Sequence, residues 1–309
     1  MNIITEMLGT KYPVIQGGMA NIADHRLASA VSNAGGLGLI GAGGWDVDKV
    51  RSEIKLCKEL TDKPFGVNIM LMSPHAEKIS DMVIEEGIKI ITTGAGNPGI
   101  YIDKWKKAGI KVIPVVPSVS LAKRVERVGA DAVIVEGTEA GGHVGELTTF
   151  TLVPQVVDAI NLPVIAAGGI ADSRGVDASF MLGASGIQIG TVLLASIECP
   201  VHENYKNKIV KSKDTDTVVT GRSTGAPVRV LKNKMSREYL RMTKEKNVPL
   251  EEMEKLTLGS LRKAVFDGDM DYGSVMAGQV AGLVKEIRSV KAILDDLFLK
   301  SKVYMGDVK

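Results

Sequence analysis

Short, unbroken hydrophobic runs recur along the first two-thirds of the chain. They are rich in β-branched residues and do not alternate with polar ones, which is typical of parallel strands buried on both faces. The predicted strands are Tyr12–Gln16, Leu37–Gly41, Phe65–Met70, Ile88–Thr93, Lys111–Val116, Asp131–Glu136, Pro163–Ala167 and Gly186–Gly190. Segments with helical character lie between them, among which are Asp46–Leu60, Ser73–Glu86, Gly99–Ala108, Ser120–Gly129 and Phe150–Ile160. Their expected N-caps include Asp46, Ser73 and Ser120.

This alternation predicts an α/β fold. Eight strands separated by helices favour a (β/α)8 TIM barrel over an open doubly wound sheet, although a six-stranded sheet is the alternative if two runs are not strands. A length of 309 residues suits a barrel of roughly 250 residues with a small addition. We predict that residues 1–197 and 271–309 form the barrel. Residues 198–270 would form a small, largely helical basic lobe inserted near the C-terminus.

The charge of the chain is unevenly distributed. Val201–Asn247 holds 12 Lys/Arg and five acidic residues, a local charge of +7, so the rest carries −5 of the total of +2. A total this close to zero disfavours a general polyanion binder, and an aromatic content of 4% disfavours a stacking platform for nucleic acid. No nucleic-acid partner is expected.

Membrane and metal functions are also disfavoured. The uncharged runs 27–45 and 178–197 are interrupted by glycines, so we interpret each as a helix end, a turn and a buried strand, and expect no membrane span. The first residues lack the basic region of a signal peptide, so a cytoplasmic location is expected. Cys57 and Cys199 are too few for a disulfide framework or a four-cysteine zinc site, and no metal site is expected.

Candidate chemistry lies at the carboxyl ends of the predicted strands, where barrels carry their active sites. Gly168-Gly169 follows the seventh strand, and Gln188–Thr191 ends the eighth and continues beyond it. These two positions commonly hold a phosphate on backbone amides in this fold, so they predict a phosphate-bearing ligand. Ordinary tight turns are the alternative explanation of the glycines. The glycine-rich Ala34–Gly44 lacks the spacing of a dinucleotide fingerprint.

His143 lies just beyond the sixth predicted strand, among glycines. This position favours a general acid or a substrate-orienting group over a surface histidine. Glu136 and Glu139 lie in the same segment, but no second acid occurs at another strand end, which disfavours a glycosidase.

Several segments together carry a resemblance. They are YPVIQGGMA (12–20), AVSNAGGLG (30–38), KPFGVNIMLMSP (63–74), TTGAGNP (92–98), KVIPVVPS (111–118), EGTEAGGHVGELTT (136–149), PVIAAGGIAD (163–172), IQIGT (187–191) and GSVMAGQVAGLVKEI (273–287). In this order they resemble the flavin-dependent type II enoyl-[acyl-carrier-protein] reductases, of the nitronate monooxygenase-like FMN barrel superfamily.

The resemblance implies a cofactor and a reaction. NADH or NADPH would reduce FMN, which would then deliver hydride to a trans-2-enoyl chain on acyl carrier protein, in the last step of fatty acid elongation. His143 would be the active-site histidine. Some members also need a monovalent cation, and a homodimer is expected. The FMN-binding residues would be Gly18, Met19, Asn68, Glu136, Gly141, Gly168, Gly169, Gln188, Ile189, Gly190 and Thr191.

The basic lobe is where an acidic acyl carrier protein would be steered, with a merely solvated cationic face as the alternative. The main rival function is a nitronate monooxygenase, which oxidises alkyl nitronates with FMN and O₂ and typically carries Gln at the position of Glu136. More distant rivals are a flavin-free phosphate-binding barrel and a non-catalytic flavin-binding protein. Two residues depart from the resemblance, Asn21 in place of an aromatic and Ala226 in place of a histidine.

Overall fold

The computed structural model describes residues 2–245 and 248–306. Eight parallel strands form one sheet, and each begins and ends within two residues of its predicted range. A further short strand, β7 (Gly142–His143), lies in the loop after β6. The sheet contains β1 (Val14–Gln16), β2 (Gly38–Gly41), β3 (Phe65–Met70), β4 (Ile90–Gly94), β5 (Lys111–Val116), β6 (Val133–Glu136), β8 (Val164–Ala167) and β9 (Gly186–Ile189).

The sheet closes on itself. Its strand order is β1-β9-β8-β6-β5-β4-β3-β2, and a parallel bridge between Ile15 and Leu37 joins the two ends. In the register of neighbouring strands, Phe65 lies opposite Gly38 and Val14 opposite Ile187. The predicted (β/α)8 barrel is therefore confirmed, and the six-stranded alternative is wrong.

Helices surround the barrel. They are α1 (Ile3–Leu8), α2 (His25–Asn33), α3 (Val47–Leu60), α4 (Ala76–Glu85), α5 (Gly99–Lys107), α6 (Val119–Arg127), α7 (Thr149–Val157), α8 (Ser173–Met181), α9 (Thr191–Leu194), α14 (Val290–Leu299) and α15 (Lys302–Met305), with α10 to α13 in the lobe. Both long uncharged runs contain a helix end, a turn and a buried strand, as predicted. Among the described residues, no helix is long and apolar enough to cross a bilayer.

One of the three expected N-caps is present. Asp46 caps α3 by accepting a hydrogen bond from the Lys49 N–H. Ser73 does not cap α4, which begins three residues later; its hydroxyl accepts from the His75 N–H in the preceding turn. Ser120 lies inside α6, whose cap is Ser118. The second error arises because two serines precede the apolar repeat of α6, and periodicity does not decide which of them leaves the helical backbone. The first arises because a turn follows Ser73 before the helix begins, and a pattern places the end of a helix only to within one or two residues.

The barrel has two apolar layers. Its interior is filled by strand residues such as Ile15, Leu39 and Ile165, and Ile4 and Leu8 of α1 pack in the same cluster. A larger cluster lies between the strands and the surrounding helices. The interior is therefore a packed core, and the carboxyl ends of the strands are left for ligand binding.

The lobe contains α10 (Glu203–Val210), α11 (Lys234–Met242), α12 (Leu250–Thr257), α13 (Ser260–Arg262) and a π-helical turn, Lys263–Asp267. It also contains a β-hairpin that the sequence did not predict, formed by β10 (Thr217–Thr220) and β11 (Val228–Leu231). β11 pairs with β7 of the barrel in an antiparallel ladder. Lys246 and Asn247, which were included in the basic segment, lie outside the described residues.

Candidate functional site

A cavity of about 790 Å³ opens at the carboxyl ends of the barrel strands. This volume lies within the usual range of small-molecule sites. The structure brings every predicted site residue to its wall. These residues are Gly18, Met19, Asn68, Glu136, Gly141, His143, Gly168, Gly169, Gln188, Ile189, Gly190 and Thr191.

The loops after β8 and β9 present backbone donors to one side of the cavity. Gly168 and Gly169 have φ values of +92° and +79°, a left-handed backbone that favours glycine. Among the described residues, no acceptor is found for the N–H groups of Gly169, Gly190 and Thr191. Backbone amides without an acceptor on two adjacent barrel loops are typical of an anion site, so this side suits a phosphate group.

The space beside these loops is open. A Cβ added at Gly190 would meet no described atom closer than the Met19 Sδ, at 3.6 Å, and one at Gly94 would meet nothing within 4 Å. Packing does not demand glycine at these two positions. Because glycine has no side chain, it mainly keeps the cavity wide. A roomy, mostly apolar cavity with amide donors at one end fits a flavin mononucleotide.

A second side, which adjoins the first because β1 pairs with β9, is formed by the loop after β1 and by β3. The Asn68 side-chain amide donates to the Gly18 carbonyl at 3.2 Å, and its Oδ1 accepts from the Thr92 hydroxyl at 2.9 Å. A Cβ at Gly18 would lie 2.2 Å from the Asn68 Cγ. Gly18 is therefore required by the close approach of Asn68, and the two residues form one wall.

Glu136, the last residue of β6, turns its carboxyl toward the cavity. No hydrogen bond or ion pair reaches this carboxyl from any other described side chain or backbone group. Desolvation raises its pKa to about 7. Near neutral pH the group is consequently a mixture of acid and carboxylate, and in the acid form it can donate a hydrogen bond.

Glu139 has a different role. Its carboxylate accepts from the backbone N–H of Thr149, the first residue of α7, at 3.0 and 2.9 Å, and from the Thr149 hydroxyl at 3.1 Å. A carboxylate at a helix N-terminus stabilises the helix dipole. Glu139 therefore anchors the loop after β6 to α7, and it does not form a catalytic pair with Glu136.

His143 lies in β7, where it is paired with Val228 of the lobe, and its imidazole is exposed at the cavity wall. Partial desolvation lowers its pKa below the ordinary value of 6.5. The lowered pKa favours the neutral imidazole, which has one nitrogen as donor and the other as acceptor.

The structure adds wall residues that the sequence did not assign to the site. Met276, Gly278 and Val280 come from the segment after the lobe, and Ala226 and Pro227 come from the hairpin. The signal for the first group was the GSVMAGQ segment, which had been noted only as part of the resemblance. Sequence spacing cannot place it, because it lies more than 130 residues beyond β6.

The two departures from the resemblance both line the cavity. Asn21 has a φ of +59°, a backbone region that asparagine tolerates better than a bulky aromatic. Its side chain lies near Gly44, where an added Cβ would be 3.1 Å from the Asn21 Nδ2. Ala226 is exposed in the lobe hairpin.

Neither described cysteine lies on this wall, and the described cluster of possible metal ligands lies outside it as well. Cys57 and Cys199 are both buried, and burial raises the pKa of each thiol to about 12, so neither is a reactive nucleophile. Asp24, His25 and Glu53 bring ligand atoms within 4.8 Å of one another. These groups are already engaged, since Asp24 caps α2 and Glu53 pairs with both His25 and Lys49.

Comparison with known proteins identifies the family. Residues 1–300 match the nitronate monooxygenase family model. A probable nitronate monooxygenase of Staphylococcus saprophyticus is 36% identical, with 98% of each chain covered. A (3aS,4S,5R,7aS)-5-hydroxy-7a-methyl-1-oxo-octahydro-1H-indene-4-carboxyl-CoA dehydrogenase of Mycobacterium tuberculosis is 32% identical over 98% of this chain and 96% of its own.

Solved structures agree with this result. FabK from Thermotoga maritima superposes with a TM-score of 0.96 at 50% identity, covering 99% of this chain and 98% of its own. A nitroalkane oxidase from Streptomyces ansochromogenes has a TM-score of 0.87 at 25% identity, with 99% of both chains covered. With its closed barrel and its glycine-lined cavity, the chain belongs to the nitronate monooxygenase family, whose members are FMN-dependent oxidoreductases.

Proposed function

We propose that this protein is an FMN-dependent type II enoyl-[acyl-carrier-protein] reductase that uses NADH or NADPH. The observation that carries the proposal is the likeness to FabK, a type II enoyl reductase, at 50% identity over nearly the whole of both chains. Glu136 supports it, because the rival monooxygenases typically have Gln at this position.

The proposed cofactor site uses both sides of the cavity. The amides of Gly169, Gly190 and Thr191 would hold the phosphate, and Asn68 and Glu136 would face the flavin. When bound, FMN supplies hydride transfer from a nicotinamide to the β-carbon of an enoyl thioester. The protein supplies the binding, the orientation and the local electrostatics.

His143 is the proposed active-site residue. In the neutral form that its lowered pKa favours, the imidazole can donate one hydrogen bond without placing a positive charge in the cavity. Such a donor can orient a thioester carbonyl or hold a water beside the α-carbon, and it can itself supply the proton. In each case the residue acts on the enoyl substrate and not on the nicotinamide.

The proposed partner is an acidic acyl carrier protein. Several lobe cations are already occupied: Arg222 pairs with Glu146, Lys234 with Asp271 and Arg241 with Glu245. Lys206 is paired as well, with Glu203, and Arg229 is buried. The other six cations of residues 201–245 have no described carboxylate within 4.0 Å and define what we call the basic surface. It consists of Lys208, Lys211, Lys213, Lys232, Arg237 and Lys244.

A second candidate function is nitronate oxidation by O₂. It is favoured by the family model and by the relative from Staphylococcus saprophyticus, whose name states this activity. The cavity itself does not separate the two functions, since both require FMN and a polar group close to the substrate.

Anaerobic stopped flow on the FMN-loaded protein tests the proposal. NADH or NADPH should bleach the flavin absorbance, and a crotonyl thioester should then restore it. Bleaching by an alkyl nitronate, with none by either nicotinamide, would instead establish the monooxygenase. A protein that acquires no flavin band after addition of FMN would contradict both functions. Repeating the experiment with potassium or choline as the only cation tests whether turnover depends on a monovalent cation.

A further inference from the structure

The loop that carries His143, residues 137–148, is held by the lobe as well as by the barrel. Within this His143 loop, the Thr138 N–H donates to the Leu147 carbonyl at 2.8 Å, which ties its two ends together. Its middle pairs with β11, where Gly142 lies opposite Arg229. The position of the imidazole therefore depends on how firmly the lobe holds this loop.

Arg229 makes an additional contact with its side chain. Its Nε donates to the Thr138 carbonyl at 2.9 Å, and its Nη1 donates to the Thr217 hydroxyl at 3.1 Å. Arg229 thus contacts the His143 loop at two places. Its backbone pairs with the loop at Gly142, and its guanidinium donates a hydrogen bond to the Thr138 carbonyl. The second acceptor lies on β10, so the guanidinium joins the loop to both strands of the hairpin.

The environment of this guanidinium is unusual for an arginine. Arg229 is only 7% exposed, and no described carboxylate lies within 4.0 Å of it. Burial lowers its pKa, while the Glu139 charge opposes that shift. Burying a cation without a close counter-ion lowers the free energy of unfolding. We therefore look for a role of Arg229 other than stabilising the fold.

No other lobe cation among the described residues duplicates this contact. Arg222 reaches the same loop through Glu146, but both of these side chains are exposed. Exposed ion pairs typically contribute less than about 1 kcal/mol. Arg229 is the lobe cation whose charge is buried against the loop backbone.

We propose that Arg229 is a positioning residue for His143, which fixes the main chain of the His143 loop so that the imidazole points into the cavity. The effect on catalysis rests on the proposed function, which gives His143 its role. The fixing of the loop by Arg229 does not depend on that function. Lysine cannot reproduce the contact, because a single ammonium cannot present the planar fork that spans Thr138 and Thr217.

The test uses the FMN-loaded protein with Arg229→Ala and Arg229→Lys. Arg124→Ala, which removes an exposed barrel arginine on α6, is the matched control. Thr217→Val is a milder variant that leaves the charge in place. Three quantities are measured: the rate of flavin bleaching by the nicotinamide, the rate of its recovery with crotonyl thioester, and amide hydrogen exchange of residues 137–148.

We expect both Arg229 variants to slow the recovery step by about tenfold to a hundredfold, since small displacements of a catalytic group have effects of this size. Bleaching by the nicotinamide should stay close to the control, and exchange in the His143 loop should be faster. Added guanidinium at non-denaturing concentration should partly restore the rate of flavin recovery in Arg229→Ala, and it should leave the wild-type rate unchanged. Thr217→Val should show the same pattern at smaller amplitude.

Recovery and loop exchange equal to those of Arg124→Ala would overturn the proposal. So would an equal loss in both half-reactions without any rescue, which would mean a general structural defect. If Arg229→Ala does not fold, Arg229→Lys and Thr217→Val decide by the same criteria. If wild type reduces no enoyl thioester, the proposed function fails, but hydrogen exchange still shows whether Arg229 fixes the loop.

Discussion

The cavity has two walls that are built in different ways. The glycine wall, Gly168–Ile170 with Gln188–Thr191, comes from two consecutive barrel loops and uses backbone amides. The composite wall combines the His143 loop with Gly225, Ala226 and Pro227 of the lobe and with Met276, Gly278 and Val280 of the following segment. The first is rigid because adjacent parallel strands position it. The second holds together only while three distant segments remain in contact.

Because of this difference, we expect the glycine wall to serve cofactor binding and the composite wall to serve the reaction with the acyl substrate. Amides fixed on a closed barrel can hold a cofactor whether or not the lobe moves. His143 depends on the lobe, because β7 exists only through its pairing with β11. Damage to the glycine wall should therefore affect cofactor affinity, and damage to the composite wall should affect the reaction with the acyl substrate.

The largest effect is expected from removing the imidazole. His143→Ala should slow flavin reoxidation by crotonyl thioester about 10²- to 10³-fold, the usual contribution of a positioned proton donor. Bleaching by the nicotinamide and the Kd for FMN should stay near wild type. Anaerobic stopped flow measures both half-reactions, with His202→Ala, an exposed lobe histidine, as control. A variant that reoxidises at the wild-type rate would remove His143 from the mechanism.

The second effect is on the glycine wall. Gly190→Leu should raise the Kd for FMN about 30- to 100-fold, a loss of roughly 2–3 kcal/mol, because the side chain enters the phosphate space. The φ of Gly190 is −130°, so a left-handed backbone does not bar the substitution. Fluorescence titration with FMN measures the affinity, and thermal unfolding of the apoprotein is the control. An unchanged Kd would mean that the phosphate lies elsewhere.

A third effect concerns stability and pH. The carboxyl of Glu136 has its folded pKa raised from 4.5 to about 7. The apoprotein should therefore lose stability as the pH rises through this window, because ionisation is easier in the unfolded chain. Relative to wild type, Glu136→Gln should gain about 2 kcal/mol between pH 5 and pH 8. Urea unfolding at both pH values measures this gain, with Glu59→Gln, a change at an exposed residue of α3, as control. The same dependence of the unfolding free energy on pH in wild type and Glu136→Gln would contradict the burial of this carboxyl.

The smallest effect is expected far from both walls, on the basic surface. The double variant Lys213→Glu and Arg237→Glu should reduce kcat/KM for enoyl-acyl carrier protein about threefold to tenfold, with little change for the coenzyme A analogue, because rim charges act mainly on association. Lys123→Glu, a charge reversal on α6 of the barrel, is the control. An equal loss on both substrates, or none on either, would exclude docking at this surface.

The sequence predicted the barrel and the glycine wall well. Strand ranges such as Phe65–Met70 and Lys111–Val116 were predicted to the residue, because unbroken β-branched runs bounded by turns are a local signal. Once the strands are known, parallel pairing brings all their carboxyl ends to one face, so Asn68 and Gly190 could be placed in one site without coordinates. The hairpin was missed because its four-residue strands lie in a polar, charged stretch.

Thus the sequence by itself determined the alternation of strands and helices, the residues at the strand ends and the presence of His143 among them, since these follow from short-range periodicity. Closure of the sheet is visible only in the structure, through the bridge between Ile15 and Leu37. Only the tertiary structure decided how His143 is held, through the pairing of β7 with β11 and the buried guanidinium of Arg229. It also decided the raised pKa of Glu136. The physical reason is that long-range pairing and desolvation depend on which distant groups surround a residue, and no local pattern encodes those neighbours.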